Sequence, residues 1–232
     1  RWDQIAKPLK SLGLLETNVI RIAGILGDSR VSLDKRALVA MCADNGVIEE
    51  GVTQSGSEVT AIVAQNMAEG SSTVTVMAQA ASVDVFPVDI GMITDVPGVT
   101  RPEYKVAYGT EDMMRGPAMT REQAAQAVLN GIRIVRELAG QGYDILATGE
   151  MGIGNTTTTS AVVSVLLDQD AEAVTGRGAG LSSEGIRRKI EVIRESVRLN
   201  RPDREDPLDV LSKVGGLDIA GLTGVFLGGA VC

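Results

Sequence analysis

Short apolar runs alternate with longer helical patterns along this chain, and that alternation most restricts what it can fold into. Residues 38–42, 83–88 and 145–147 read as strands; 58–79, 120–138, 156–167, 183–199, 207–214 and 218–230 read as helices. Strands separated by helices predict an α/β fold, a largely parallel sheet flanked by helices in a Rossmann-like arrangement. Residues 1–30 are assigned to a smaller helical subdomain, and 31–232 to an α/β nucleotide-binding domain. Thr120 followed by Gln123 is a capping-box signature for the helix that starts there. In sheets of this kind the ligand sits beyond the carboxyl ends of the strands, which is where Asp44, Asp89 and Glu150 fall.

Composition narrows the function classes. A chain of 232 residues, 44% of them hydrophobic, can bury a full core and does not read as disordered. A net charge of −8 and a pI near 4.7 speak against nonspecific nucleic-acid binding. A phosphorylated ligand must then be held by local groups rather than by a broad basic surface. The chain contains no histidine, which excludes a histidine base, nucleophile partner or metal ligand. Cys42 and Cys232 make neither a disulfide framework nor a zinc pattern, and Cys42, after the apolar run 37–41, reads as a small core residue. Neither a metal nor an organic cofactor is expected. No signal or transit peptide is visible at Arg1-Trp2-Asp3, and the apolar stretch 217–232, interrupted by Gly221, Gly224, Gly228 and Gly229, falls short of a membrane span. A cytoplasmic protein is expected.

Residues 148–159 say most about chemistry. They follow the apolar run 143–147, which reads as a buried strand, and lead into an apolar helix. Gly149, Gly152 and Gly154 let the backbone turn sharply and approach a ligand. Asn155, Thr156 and the threonines after it supply capping side chains and hydroxyls at a helix start, and a glycine loop opening a helix is a ready anion site. The spacing G-x-x-G-x-G is neither the Rossmann fingerprint nor a P-loop. The pattern fits a phosphate cradle, and it also fits a well-capped strand-to-helix turn with no ligand. Glu150 would repel a phosphate, so a sugar hydroxyl or a cationic ring suits it better.

A second loop bears on that choice. Gly176, Gly178 and Gly180 surround Arg177, whose guanidinium suits bidentate phosphate contacts. Ser182 or Ser183 then caps a helix with Glu184 in its first turn, and Lys189, one to two turns in, can reach back toward a ligand. Alone, this segment reads equally as a flexible connection before a solvated helix face. Two glycine loops that each open a helix argue better for one nucleotide-sized site than either does separately.

Together the two loops resemble the nicotinate-nucleotide:dimethylbenzimidazole phosphoribosyltransferase family, which builds the lower ligand of cobalamin. Glu150-Met-Gly-Ile-Gly-Asn-Thr-Thr157 is similar to that family's most characteristic string, and Gly176-Arg-Gly-Ala-Gly180 to its second glycine loop. Ala6-Lys7-Pro8, Ser11-Leu12-Gly13, Ala43-Asp44-Asn45-Gly46-Val47, Asp89-Ile90-Gly91, Gly116-Pro117-Ala118-Met119-Thr120 and Val214-Gly215-Gly216 follow in the family's order along the chain. Two departures stand out. Asn45 occupies a place where the family usually carries histidine, and the family's general-base glutamate belongs to a segment expected beyond Cys232.

The resemblance implies transfer of phosphoribose from nicotinate mononucleotide to dimethylbenzimidazole or a related aromatic base, giving α-ribazole phosphate and nicotinate. It implies a substrate site built from Glu150, Gly152, Ile153, Gly154, Asn155, Thr156, Gly176, Arg177, Gly178 and Lys189, with Asp44 and Ser57 toward the acceptor base. No catalytic proton acceptor is expected within the chain, and a homodimer is expected. On this reading 218–230 is a core helix that stops before the element it should pack against. A nucleotide-binding module that lost the chemistry is the competing reading, and a sugar-phosphate enzyme with unrelated glycine loops is a third. Residues 98–105 lack periodicity and read as a loop free to move.

Overall fold

The computed structural model describes residues 2–231, without the side chain of Asp3. Arg1 and Cys232, both named above, lie outside the described residues. Strands β1 (Arg36–Ala43), β2 (Val83–Gly91) and β3 (Ile145–Met151) form one parallel sheet in the order β2-β1-β3. Around it run α2 (Glu58–Ala68), α3 (Thr73–Ala80), α4 (Arg121–Gly140), α5 (Asn155–Leu167), α6 (Ala171–Val174), α7 (Ser183–Asn200), α8 (Pro207–Val214) and α9 (Leu217–Gly229), while α1 (Leu14–Leu26) precedes β1. Contacts divide the chain into two units, Arg1–Lys35 and Arg36–Cys232. In the first, the Lys7 ammonium bonds both carboxylate oxygens of Glu16 at 3.0 Å and lies 5.7 Å from the Trp2 ring centroid.

The continuous apolar run of β1 is what a central parallel strand requires, because its side chains alternate between two buried faces. Ala37, Val39, Met41 and Ala43 pack with residues of α4 and α9, whereas Ala40 and Cys42 pack with Ala64 and Met67 of α2. A third apolar cluster joins α5, α7 and α8 through Ala161, Val192, Ile193 and Val210. Register brings Glu150 level with Met41 and Asp89 level with Cys42, so the acidic residues gather at the carboxyl end of the sheet. From β1 the chain moves to β2 on one side and then to β3 on the other. The carboxyl end between β1 and β3 is therefore the switch point where such sheets leave a crevice.

The structure revises or sharpens four sequence expectations. The helix read over 58–79 is two helices. Gly70 turns left-handed at φ 79°, the Asn66 carbonyl accepts from both Ser71 and Ser72, and the Ser72 hydroxyl caps α3 by accepting from the Thr75 N–H at 3.3 Å. The strand read as buried after Tyr143 is an edge strand. It runs on to Met151 and leaves Ile145 40% exposed, because β1 alone pairs with it. Residues 98–105 form an irregular segment that is fastened at several points. The Tyr104 carbonyl accepts from Asn130 at 2.7 Å, the Val106 N–H donates to Ile90, and the Lys105 ammonium reaches Asp89 at 3.1 Å and Asp95 at 2.6 Å.

The fourth concerns the last helix, which packs on α4 and the sheet along one side. On α9, Gly224 and Gly228 rest on the backbone of α4, and Gly221 lets Ile90 and Met41 of the sheet come close. A Cβ added at Gly131 of α4 would lie 2.8 Å from the Val225 nitrogen, so the two helix backbones meet with no side chain between them. Phe226 and Leu227, near the end of α9, stay 68% and 50% exposed. The capping box at Thr120 and Gln123 is present as read, and Ser182, not Ser183, caps α7.

Candidate functional site

A cavity of about 190 Å³ opens at the switch point. Val52, Thr53 and Gln54 line it from the loop after β1, residues 150–156 from the end of β3 into α5, and Arg177, Gly178, Ala179 and Leu181 from the second glycine loop. The turn into α5 depends on Gly154, which stands at φ 95° as the N-cap residue, and a Cβ there would meet Ile48 at 2.9 Å. Asn155 therefore does not cap the helix, as the sequence suggested. Its side-chain amide donates instead to Oε2 of Glu150. The Ile153 N–H donates to Thr60 of α2 at 3.2 Å, and the Gln54 amide donates to the Gly180 carbonyl at 3.3 Å, which ties the loop after β1 to the second glycine loop.

Lys189 lies on the buried face of α7 and is fully buried. Its ammonium donates to the Thr156 hydroxyl at 2.6 Å, and a Cβ at Gly178 would come within 3.6 Å of it. No carboxylate is paired with it among the described residues. Burial alone lowers its pKa from 10.5 to about 8. The ammonium also sits at the amino end of α5, where the helix already presents positive charge. Such a place is stabilised by a ligand anion.

Glu150 lines the cavity from the end of β3 and stands beside Asp218, the buried second residue of α9. An oxygen of each carboxyl group borders the same small space above Gly152. Burial first, and the neighbouring Asp218 carboxylate second, push Glu150 up to about 8. Burial likewise raises Asp218, against the lowering effect of the Ile219 N–H that it accepts at 2.8 Å. Gly152 makes room for this pair: a Cβ there would lie 2.9 Å from Oε1 of Glu150 and 3.0 Å from Oδ2 of Asp218.

A cavity bordered by two glycine loops, with a buried ammonium bonded to one lining residue and a carboxyl group among the others, can take an anionic ligand that also carries hydroxyl groups. The model of a family described as phosphoribosyltransferase matches residues 1–232. The chain belongs to that family. It is 49% identical over 232 residues to a nicotinate-nucleotide–dimethylbenzimidazole phosphoribosyltransferase of Acetivibrio thermocellus, covering 100% of this chain and 66% of the relative. It is 47% identical to the protein of the same name from Ruminiclostridium cellulolyticum, covering 99% and 65%. The crystal structure of CobT from Thermus thermophilus superposes with a TM-score of 0.89 at 37% identity, covering 99% of this chain and 69% of that one. The chain thus spans about two thirds of the length of the curated relatives it matches.

Within this family member, the remaining sequence-derived residues divide. Gly152, Ile153, Gly154, Asn155, Thr156, Arg177 and Gly178 line the cavity with Glu150, and Lys189 adjoins it through Thr156. Gly176 does not line it. The Arg177 guanidinium is committed to its own loop, donating to the Leu181 carbonyl at 2.7 Å and the Ser183 hydroxyl at 3.2 Å. Asp44 and Ser57 also stand outside the lining. Asp44 is 2% exposed and accepts from the Ile93 N–H at 2.8 Å; burial raises its pKa. Ser57 precedes α2 without a side-chain capping bond.

Sequence reading missed Asp218 and Asn45 as its neighbour, and it brought in residues 51–56 only through the family resemblance, near the acceptor base. One signal did point to Asp218: it is the single charged residue in an otherwise apolar helix. Nothing of that kind marks residues 52–54, which carry no chemical signature of their own. No helix among the described residues is long and apolar enough to cross a membrane.

Proposed function

We propose that this chain holds the nucleotide site of an enzyme that transfers phosphoribose from nicotinate mononucleotide to 5,6-dimethylbenzimidazole or a related base, releasing nicotinate and forming α-ribazole phosphate for cobalamin synthesis. The observation that carries the proposal is Lys189, a fully buried ammonium with a hydroxyl partner and no counter-ion, facing the second glycine loop at the start of α5. The names of the relatives support the same substrate pair.

In this reading the 5′-phosphate lies against Lys189, Thr156 and the loop at Gly178, and the ribose points toward Glu150. The C1′–N bond of nicotinate breaks with its electron pair going to the ring nitrogen. That nitrogen is cationic in the nucleotide, so the leaving group needs no acid. The unprotonated imidazole nitrogen of the acceptor attacks the opposite face of C1′, and the other ring nitrogen then gives up its N–H proton to a base. Positive charge builds on the ribose in between, and a carboxyl group fixed beside it lowers the barrier. Asp44 and Ser57 are assigned to the acceptor side on the family resemblance. A homodimer in the cytoplasm completes the proposal.

Calorimetric titration with nicotinate mononucleotide tests it. Lys189→Ala should weaken binding by about 1.5–3 kcal/mol, the scale of a hydrogen bond to a charged group. Equal affinity in the two proteins would remove Lys189, and with it the phosphate cradle, from the site.

A further inference from the structure

Glu150 and Asp218 leave an accounting problem. Oε1 of Glu150 and Oδ2 of Asp218 are both buried without a donor, although buried polar atoms are nearly always satisfied. Both oxygens stand about 3 Å from one point, the position of a Cβ at Gly152. Two carboxylates at such range, out of water, repel strongly. We propose that the two groups share a single proton, and that Asp218 is a positioning residue which holds the Glu150 carboxyl at the ribose end of the cavity through that proton.

One hydrogen turns two orphan acceptors into a donor and an acceptor, and both gaps close together. Glu150 is then fixed at each oxygen, Oε2 by the Asn155 amide and Oε1 by Asp218. Asp218 is itself held by the Ile219 N–H, and Asn45, whose amide donates to the Ile153 carbonyl at 3.4 Å, lies beside it on the β1 side. The groups acting on the pair are Asn155 from α5, Asn45 from the loop after β1 and the amides of α9 itself, none of them a cation. The titratable neighbour on β1 is Cys42, whose thiol is pushed up to about 12 by burial and then by Asp89, so it stays neutral. The ribose-facing role assigned to Glu150 rests on the proposed function; the shared proton does not.

The test is a carboxyl ¹³C NMR titration of the chain without nucleotide, with labelled Glu and Asp side chains. One Glu resonance should titrate near pH 8. In Asp218→Asn that midpoint should fall by about two pH units or more, because the like charge is gone and an amide donor replaces it. A role in packing alone would leave the midpoint where it is. Should Asp218→Asn fail to fold, Glu150→Gln examines the pair from the other side, and the Asp218 resonance should move to lower pH. A Glu150 midpoint in the ordinary carboxylate range, or midpoints indifferent to the partner's replacement, would overturn the proposal. Since no ligand is present, failure to bind nicotinate mononucleotide would defeat the proposed function and leave this inference standing.

Discussion

Replacing Lys189 with methionine should make the ligand-free chain more stable. The side chain is fully buried, its ammonium has only the Thr156 hydroxyl, and methionine fills the same channel with an unbranched apolar stem. Its pKa falls from 10.5 in an unfolded chain to about 8 in the folded one. At about 1.4 kcal/mol per pH unit, holding that charge destabilises the fold by about 3 kcal/mol at neutral pH. The sign follows from proton counting. Between pH 8 and 10.5 the unfolded state binds the extra proton, so stability rises with pH across that window, and below pH 8 the whole penalty is present. The stabilisation by Lys189→Met should therefore be about 3 kcal/mol at pH 7 and below about 1 kcal/mol at pH 10. Urea denaturation of both proteins at the two pH values measures it. A variant less stable than the parent at pH 7, or an equal difference at both pH values, would refute the argument that an uncompensated charge is stored there. Saturating nicotinate mononucleotide should reverse the order, because only the parent gains binding energy in its folded state.

Two further outcomes concern the frame. Lys105→Met strands the Asp89 carboxylate, which is fully buried and otherwise bonded to the Met92 N–H and the Thr100 hydroxyl, and should cost about 3–5 kcal/mol by denaturant unfolding. Gly131→Val wedges a side chain into the seam between α4 and α9, where a Cβ alone would lie 2.8 Å from the Val225 nitrogen, and should lower stability by about 1–3 kcal/mol; an unchanged melting temperature would mean that the helices do not meet there.

The parallel sheet and the cavity's two glycine loops were legible because both rest on local chemistry. An apolar run such as β1 can only be central, and glycines at 152 and 154 mark a turn where backbone must pass close to something. Lys189 was within reach for the same reason, since helical spacing from the Ser182 cap sets its direction. What failed depended on partners distant in sequence. The exposure of β3 follows from its having one neighbour, which no property of residues 143–147 records. The break at Gly70-Ser71-Ser72 was visible, but apolar periodicity on either side outweighed it. Asp218 acquires its meaning from Glu150, 68 positions earlier, brought level by the packing of α9 on the sheet.

One detail at the phosphate end has a bearing on selectivity. Because the Thr156 hydroxyl accepts from Lys189 at 2.6 Å, its own hydrogen points outward. The ammonium, that hydroxyl and the loop amides then offer hydrogens only. A surface made of donors registers charge and shape and favours a fully ionised oxyanion, since a proton on the ligand would find no acceptor there. It would hold a sulfate as readily as a phosphate. Discrimination among anionic molecules is thereby left to the acceptors that line the rest of the cavity, Glu150 among them.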